Sequence, residues 1–399
     1  MGTHEENAQP LPPELLNNDP RGFAWGVWHN RTPKLIAQIR DAHPYGPDQR
    51  RALDDLLAEI SSGVIEPLPP DAHDRSMWES WGVGYFGTLW LDAPFLWSES
   101  YFYRRLLEAV EFFRPGPWHW VDPFEYLKTA ELTDPTLKPD LAALDDLERL
   151  SAAEQGTAKL LASLWGNRAD LGFRIGTAPA SANLAATHLV TDHSAEFWTA
   201  LGPQAYAIIV ADNAGRELLA DLILIDHLLS HNHASTVALH VKPWPYYVSD
   251  AVTMDVLACL RRLATAPGNA AKIAQRVQDA MADGKLILYT HEFYCAPCPY
   301  QRMPAGLRAE FEQASLTIFK GDLNYRRLVD DRDWPPTTPF ADVVAYFPGP
   351  VAALRTLKSD VITGLTQAAV ADLNATEQFW RTDGSHGLLQ VASPERLTK

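Results

Sequence analysis

The sequence predicts an α/β fold in which a helical N-terminal region packs on a Rossmann-like, mostly parallel sheet with helices on both faces. Two observations support this prediction. From about residue 166 onward, short apolar segments alternate with helical ones, as expected for parallel strands joined by covering helices. Before that point, apolar residues recur at helical spacing and aromatic residues are abundant, with eight of the 13 tryptophans lying before residue 121.

Length and charge limit the class of protein. The chain has 399 residues, enough for two or three domains, and its formal net charge is −16. That charge argues against a nucleic-acid binder or a membrane-surface protein, because both need a basic face. An anionic substrate would therefore need a local basic cluster. The N-terminus lacks a signal-peptide pattern, the cysteines number three, and no apolar run approaches the roughly 20 residues that span a bilayer, so we expect a cytoplasmic protein.

The predicted organisation has three parts. Residues 1–20 contain four prolines and little periodic hydrophobicity, which predicts a loose arm. Residues 21–165 form a mainly helical domain, and residues 166–399 form the α/β domain. The helices predicted in the second part span Arg50–Ile65, Ser98–Ala109 with Ser98 as N-cap, and Leu144–Leu164.

In the α/β domain, apolar runs predict strands and the segments between them show helical periodicity. The order of these segments is that of repeated strand–helix–strand units, which build parallel sheets. The predicted strands are Ala205–Ala211, Thr236–Val241, Leu286–Tyr289, Leu316–Phe319, Val343–Phe347 and Ala353–Leu357, and the predicted helices are Arg216–Ser230, Met254–Thr265, Ala270–Ala282 and Leu307–Gln313.

Acidic residues follow two apolar strands that lie more than a hundred residues apart. Asp212 and Asn213 come directly after the first, and Asp322 comes shortly after the second. A third acid, Asp250, closes an aromatic run. Because ligands bind beyond the carboxyl ends of the strands in an open α/β sheet, we expect these acids to meet at one rim. Carboxylate and amide oxygens there suit a hard cation such as magnesium or manganese, held against a phosphate.

A helix is predicted to begin just after Asp212 and Asn213. Its free backbone N–H groups and its dipole make such a helix start a natural cradle for a phosphate. The alternative is that Asp212 or Asn213 merely caps the helix, since both residue types are strongly preferred at N-caps.

Two more segments place charged groups at strand ends. The run Lys320–Arg327 brings an acid, an amide and guanidinium groups together, and a guanidinium suits phosphate oxygens. The alternative is a polar connection with solvated charges. Lys358 ends another strand, where it either reaches an anion at the shared rim or is an ordinary surface lysine.

Two other clusters are weaker signals. The C-x-x-C pair Cys295 and Cys298 lacks two further zinc ligands nearby. The histidines at 227, 231 and 233 lie at a helix end, where histidines often bind the last carbonyl groups.

Together, several motifs resemble the damage-control phosphatase family, known as domain of unknown function 89. The resemblance extends from about residue 75 to residue 365. The Arg-Thr-x-Lys element is similar to that of the third subfamily, which includes acidic-residue-methyltransferase-like proteins. The segments concerned are Glu99–Arg105, Gly166–Leu171, Asp212–Leu218 with Asp221, Val248–Asp250, Lys320–Leu328 and Arg355–Lys358.

The resemblance implies a helical region against a Rossmann-like domain and hydrolysis of small phosphometabolites, sugar phosphates among them. It also implies a divalent manganese, cobalt, nickel or magnesium ion. The metal ligands would be Asp212, Asn213 and Asp250, the catalytic residues Asp322, Asp250 and Lys358, and the substrate-binding residues Asp212, Asn213, Glu217, Lys320, Asp322, Asn324, Arg326 and Lys358. The heavy aromatic content of Trp78–Trp120 and the stretch around Cys295 depart from the family pattern, which leaves the substrate open.

Three hypotheses follow. The first is a metal-dependent phosphatase. The second is an S-adenosylmethionine-dependent carboxyl methyltransferase, with Glu217 or a neighbour on the ribose; against it, the strand–helix turn carries the single glycine Gly215, where nucleotide loops usually carry several. The third is a repurposed biosynthetic or metabolite-binding protein on the same scaffold, since fold does not fix function.

Overall fold

Seven strands form one sheet in the computed structural model, which describes residues 10–166, 188–377 and 379–393. Along the sheet the strands are ordered β1-β7-β6-β5-β2-β3-β4. Their bounds are β1 (Leu189–Asp192), β2 (Tyr206–Val210), β3 (Thr236–Val241), β4 (Leu286–Thr290), β5 (Leu316–Lys320), β6 (Val351–Thr356) and β7 (Gly387–Ala392).

The sheet is mostly parallel. Strands β6, β5, β2, β3 and β4 pair in parallel, whereas β7 is antiparallel to β6 and β1 is parallel to β7. From β2 the chain builds outward through β3 and β4, then crosses back to place β5 on the other side of β2. The strand order therefore reverses between β2 and β5, and a crevice at such a switch point is where open α/β sheets bind ligands.

Helices cover both faces of the sheet and form the N-terminal region. Ile208 and Ile209 of β2 enter two different hydrophobic clusters, because successive side chains of a strand point to opposite faces. None of the helices that the structure describes is long and apolar enough to cross a membrane. The helices are α1 (Phe23–Gly26), α2 (Thr32–Ala42), α3 (Pro47–Ser62), α4 (Arg75–Trp81), α5 (Phe95–Ala109), α6 (Glu125–Thr133), α7 (Leu137–Ala142), α8 (Leu144–Leu147), α9 (Ala152–Leu164), α10 (Ser194–Thr199), α11 (Arg216–Ser230), α12 (Thr253–Ala264), α13 (Asn269–Ala282), α14 (Ala305–Gln313), α15 (Gly321–Val329), α16 (Phe340–Val343) and α17 (Gln367–Thr376).

The aromatic residues of the N-terminal region form its core. Trp28 packs against Trp90 with ring centroids 5.5 Å apart, and Tyr101 stacks on Trp97 at 5.0 Å. Nearly the whole of α5 is buried. Large aromatic side chains bury much apolar area each, so the tryptophan-rich segment holds this helical region together.

Three predicted elements are wrong. Ser98 lies inside α5, which begins at Phe95; its hydroxyl donates to the Phe95 carbonyl and accepts from the buried Asn17 amide. The helix expected over residues 144–164 is interrupted, because Ser151 and Glu154 form a capping box that starts α9. The segment expected as a strand over residues 343–347 is the end of the short helix α16 and a turn, in which Phe347 N–H donates to the Val344 carbonyl at 2.9 Å.

Part of the segment predicted to be a loose arm contacts the rest of the chain. Leu15 N–H donates to the Asp331 carbonyl at 3.2 Å, and the Leu15 carbonyl accepts from Phe95 N–H at 2.7 Å. The Asn17 side chain is buried and donates to the Trp90 carbonyl at 2.7 Å. Residues 1–9 lie outside the described residues, and the domain boundaries stay a prediction.

Candidate active site at the carboxyl ends of the strands

The ends of β2 and β5 lie side by side at the switch point. Asp212 follows β2, and α15 begins directly after β5 at Gly321. Gly321 has a φ of +79°, and a Cβ at this position would overlap the Asp212 carboxylate. Only glycine combines this backbone conformation with so close an approach. Asp212 therefore lies against the start of the helix that carries Asp322.

Asp250 joins the same rim through backbone pairing. Asn213 and Asp250 form an isolated antiparallel bridge. Ala251 N–H donates to the Asp212 carbonyl at 2.8 Å, and Ala214 N–H donates to the Ser249 carbonyl at 2.7 Å. The two loops that carry the acids thus hold each other in register.

Asp212 is a buried carboxylate in an acidic environment. Its side chain accepts from the Asn213 amide at 2.8 Å, and the same amide donates to Glu217 at 3.0 Å. Among the described residues, no lysine or arginine forms an ion pair with Asp212. Burial, and then repulsion from Glu217 and Asp250, raises the pKa of Asp212 well above its usual range. A buried carboxylate is stable when it is paired or binds a metal.

The donor set fits a hard divalent cation. Asp212 and Asp250 supply carboxylates and Asn213 an amide oxygen, the ligand types that magnesium and manganese prefer. Asp250 Oδ2 is buried and accepts no hydrogen bond from the described residues, although Lys242 Nζ lies 3.2 Å away. Within the same part of the chain, no group of three His, Cys, Asp or Glu side chains is arranged to hold a metal. The Asn213 oxygen would therefore be an essential third ligand.

A buried ionic network supports the site from behind. Lys320 Nζ lies 3.3 Å from Glu217 and 3.1 Å from Asp221, and it also donates to the Ser163 carbonyl. Ser163 Oγ donates to Asp221 at 2.6 Å. Lys320 is therefore engaged inside the protein, and its contacts fix Glu217 beside Asn213. The motif segment Asn167–Leu171 lies outside the described residues.

Asp322 has the opposite environment to Asp212. Its Oδ1 accepts from Arg355 Nε at 2.8 Å and from Ser359 Oγ at 3.1 Å. Burial raises the pKa of Asp322, but the Arg355 and Arg326 charges outweigh burial, so its pKa lies below the ordinary value. The side chain keeps 17% of its surface exposed. Asp322 is thus an ionised, oriented carboxylate with one oxygen bound and the other available.

Asn324 and Arg326 are placed within the same helix but bind protein groups. The Asn324 amide donates to the Ala211 carbonyl at 3.0 Å and the Lys320 carbonyl at 2.9 Å, which ties the ends of β2 and β5 together. Arg326 forms two hydrogen bonds to Asp331 and one of 2.8 Å to Glu99. Both residues therefore shape the rim through contacts within the protein.

Lys358 is a cation without a partner at the rim. It is half-buried, and no hydrogen bond or ion pair joins it to another residue in the described ranges. Its charge lowers the pKa of Asp212 and of Glu131, two carboxyls whose pKa burial raises, so it lies near both. That Lys358 reaches an anion at this rim stays a prediction.

The start of α11 is already occupied. Its N-cap is Gly215, so neither Asp212 nor Asn213 caps the helix. Arg216 N–H donates instead to Glu131 from α6, at 3.2 Å. Gly215 has a φ of +68°, and a Cβ there would overlap the Glu131 carboxylate. The expected phosphate cradle therefore holds a carboxylate of the protein, which leaves Asp212 and Asn213 free for another function.

Sequence reasoning missed several residues of this site. Lys242 pairs with Asp250, Glu131 binds the start of α11, and Arg31 of the helical region has electrostatic contact with Asp322. Arg355 was part of a motif but had no assigned partner. The structure shows Arg355 buried beside Asp322. Glu131 lies 85 residues from Arg216, and no pattern in the sequence indicates that the two residues meet.

Buried acids lie at the switch point of a Rossmann-like sheet, near Lys358, which forms no ion pair within the described ranges. Such an arrangement suits a small anionic ligand. The model of the Damage-control phosphatase ARMT1-like domain matches residues 27–373. The chain therefore belongs to this damage-control phosphatase family, and membership supports a phosphatase acting on a small molecule.

Relatives match along nearly the whole chain. A protein of Mus musculus named Damage-control phosphatase ARMT1 is 28% identical, covering 96% of this chain and 99% of its own. One of Danio rerio with the same name is 29% identical, covering 97% and 98%. A crystal structure of a domain-of-unknown-function-89 protein from Pyrococcus horikoshii aligns with 88% of this chain and 94% of its own, at 15% identity and a TM-score of 0.47.

Proposed function

We propose that this protein is a metal-dependent phosphatase of small phosphorylated metabolites, with sugar phosphates as the substrate class. The observation that carries the proposal is the Asp212 carboxylate. It is buried, it faces Glu217 and Asp250, and it lacks a cationic partner among the described residues. A divalent ion relieves this repulsion and gives Asp212, Asn213 and Asp250 a common function.

The ion would be manganese, cobalt, nickel or magnesium, held by the oxygens of Asp212, Asn213 and Asp250. When bound, it would neutralise charge on a phosphoryl oxygen and orient the group. Lys242 and the network of Glu217 and Lys320 keep these ligands in place, since supporting contacts decide the orientation of metal ligands.

The protein's own groups supply the remaining chemistry. Lys358 Nζ, which is free of protein partners in the described ranges, donates hydrogen bonds to the oxygens of the transferring phosphoryl group. The available oxygen of Asp322 orients the attacking water and accepts its proton, while Arg355 and Ser359 hold the carboxylate in position. The water oxygen bonds to phosphorus, and the ester P–O bond breaks. The leaving alkoxide takes a proton from solvent, and Asp322 returns to solvent the proton that it accepted from the water. Phosphoryl transfer depends mainly on such positioning and charge neutralisation.

Asn324, Arg326 and Lys320 act on the site through other residues. Asn324 joins the ends of β2 and β5, Arg326 joins α15 to Glu99 of α5, and Lys320 fixes Glu217. We assign them a positioning function, which differs from the direct substrate contact that the family resemblance implies.

The test is phosphate release from a panel of phosphometabolites. Each substrate is assayed with manganese, cobalt, nickel or magnesium and again with excess chelator. We expect turnover of small sugar phosphates that stops with chelator and returns with the ion. Phosphate release that survives chelation would contradict the metal dependence. Absence of phosphate release, together with methyl transfer from S-adenosylmethionine that survives chelation, would favour the methyltransferase hypothesis. Tight binding without turnover would favour the metabolite-binding hypothesis.

A further inference from the structure

A cavity of about 630 Å³ lies between the start of the helical region and the C-terminal segment. The segment Ser359–Asp360 connects it to the proposed active site, because Ser359 hydrogen-bonds Asp322 and the next residue, Asp360, lines the cavity. We call it the arginine cavity after three of its lining residues, Arg21, Arg31 and Arg381.

The charge of the arginine cavity is unusual for this chain. The protein has a formal net charge of −16, yet three guanidinium groups line this one space. Asp360 is the one carboxylate among the described lining residues, and its Oδ2 accepts from Phe23 N–H at 3.0 Å. A local basic cluster is what an anionic ligand needs to approach an acidic protein.

Two of the three arginines are available to a ligand. Arg31 makes no hydrogen bond or ion pair with the described residues and is exposed. Arg381 lies over the Trp380 ring, 5.0 Å from its centroid, which leaves the edge donors of its guanidinium group free. Arg21 is 91% exposed and lies 3.3 Å from Asp19, so it contributes less.

Arg31 also lies near the proposed active site. Interactions with Tyr103, then with Glu99, Tyr247 and Asp322, raise its pKa against the effect of burial. It ends a π-helical turn at residues 27–31, and such turns occur often at functional sites. The guanidinium group is a rigid fork suited to phosphate and carboxylate oxygens.

We propose that the arginine cavity binds a second anionic group of the substrate, a phosphate or a carboxylate, through Arg31 and Arg381. The enzyme then prefers metabolites that carry one anionic group at the reacting centre and another at the far end. This inference rests on the proposed function, because it places the reacting phosphoryl group at the Asp212 rim.

The test compares a hexose monophosphate with the corresponding hexose bisphosphate in wild type, Arg31→Gln and Arg381→Gln. Arg51→Gln, on an exposed surface of α3, is the matched control. Each variant should reduce kcat/KM for the bisphosphate by about tenfold to a hundredfold, the usual effect of losing a charged hydrogen bond. The monophosphate rate of Arg381→Gln should change less than about threefold, within the range expected of a surface change. Arg31→Lys should restore part of the loss, and thermal denaturation checks that the variants fold.

The other outcomes overturn the inference. Equal losses on both esters would place Arg31 at the reacting phosphoryl group, and unchanged rates on both would remove the cavity from substrate binding. If free sulfate alters turnover of the monophosphate in wild type but not in Arg31→Gln, the cavity takes a separate anion.

Calorimetry with the bisphosphate in the presence of chelator measures binding without turnover. Weaker binding in both variants supports the cavity even if no ester is hydrolysed. Absence of hydrolysis would overturn only the proposed function.

Discussion

Asp212 and Asp322 follow neighbouring strands at the same edge of the sheet, yet their environments differ in sign. Asp212 accepts a hydrogen bond from the Asn213 amide. Burial, and then repulsion from Glu217 and Asp250, raises its pKa well above normal. Asp322 accepts hydrogen bonds from Arg355 and Ser359, and its pKa is lowered. Both acids are largely removed from water, so burial does not explain the difference.

The comparison separates two functions that one acidic rim has to perform. Excess negative charge at Asp212 is unfavourable in the protein alone and becomes favourable once a cation binds. Balanced charge at Asp322 keeps a carboxylate ionised and oriented without any ligand. The first arrangement is that of a metal site, and the second is that of a group that positions or deprotonates water.

The largest expected effect is on the Asp212 side. Asp212→Asn and Asp250→Ala should each reduce phosphate release by about a thousandfold or more, because charge neutralisation supplies effects of that size in phosphoryl transfer. With chelator present, Asp212→Asn should be more stable than wild type toward urea, since a repelled buried carboxylate has been removed. Asp283→Asn, on the surface, is the control. Wild-type rates in Asp250→Ala would remove Asp250 from the site.

On the Asp322 side, removal of the partner should destabilise the fold. Arg355 is fully buried and pairs with Asp322 at 2.7 Å. Arg355→Ala should cost about 3–5 kcal/mol of unfolding free energy, the usual result of leaving a buried charge unpaired. Urea denaturation of Arg355→Ala measures this unfolding free energy. The double variant Asp322→Asn with Arg355→Ala should recover part of the lost stability. A cost below about 1 kcal/mol, the level of an exposed pair, would contradict the ionised and fixed Asp322.

Lys358 should matter for catalysis and little for stability. Lys358→Ala is expected to reduce kcat/KM by about tenfold to a hundredfold through loss of a charged hydrogen bond to the phosphoryl group. Its melting temperature should stay close to that of wild type, because the described residues give it no protein partner. Lys272→Ala, an exposed lysine of α13, provides the control. If Lys358→Ala lowers stability as Arg355→Ala does, Lys358 belongs to the framework of the protein.

The smallest expected effect is a change in stability with pH that comes from His227, a buried histidine outside the site. Burial, and then the Lys159, His231 and His233 charges, lowers the pKa of His227 from 6.5 to about 3. The unfolded chain therefore takes up the proton first, and stability contributed by neutral His227 is lost as the pH falls below 6.5. Compared with His227→Leu, wild type should lose up to about 1.4 kcal/mol more per pH unit between pH 6 and pH 4 in urea denaturation. Equal slopes would show that His227 is open to water.

The sequence predicted the acidic rim because Asp212 and Asp322 come after apolar strands and Asp250 closes an aromatic run. Parallel strands bring their carboxyl ends to one edge, so Asp212 and Asp322 had to be neighbours once β2 and β5 were adjacent. The sequence could not predict that Glu131 of α6 would occupy the start of α11, because this contact joins separate regions and follows no local pattern. The protein contacts of Arg326 and Asn324 were missed for the same reason: their partners include Glu99 and Ala211.

Two strands were also missed, for reasons that the structure explains. β1 has four residues, too few for a clear alternation. β7 contains the polar residue Gln390, which interrupts its apolar pattern but is satisfied in the core: its amide donates to the Thr363 carbonyl at 2.7 Å, and its oxygen accepts from Tyr325 at 3.2 Å. Buried polar groups with complete hydrogen bonding are permitted in a core, and a pattern of hydropathy alone does not reveal them.

The most direct test of the metal site is to measure, by equilibrium dialysis, the amount of manganese bound per chain. The proteins compared are wild type, Asp212→Asn and Asp322→Asn. Wild type and Asp322→Asn should each retain the ion, whereas Asp212→Asn should lose it. Among the described residues, Asp322 forms an ion pair with Arg355, whereas Asp212 forms none and is proposed to bind the ion. Retention by Asp212→Asn at the wild-type level would contradict the metal site at the end of β2.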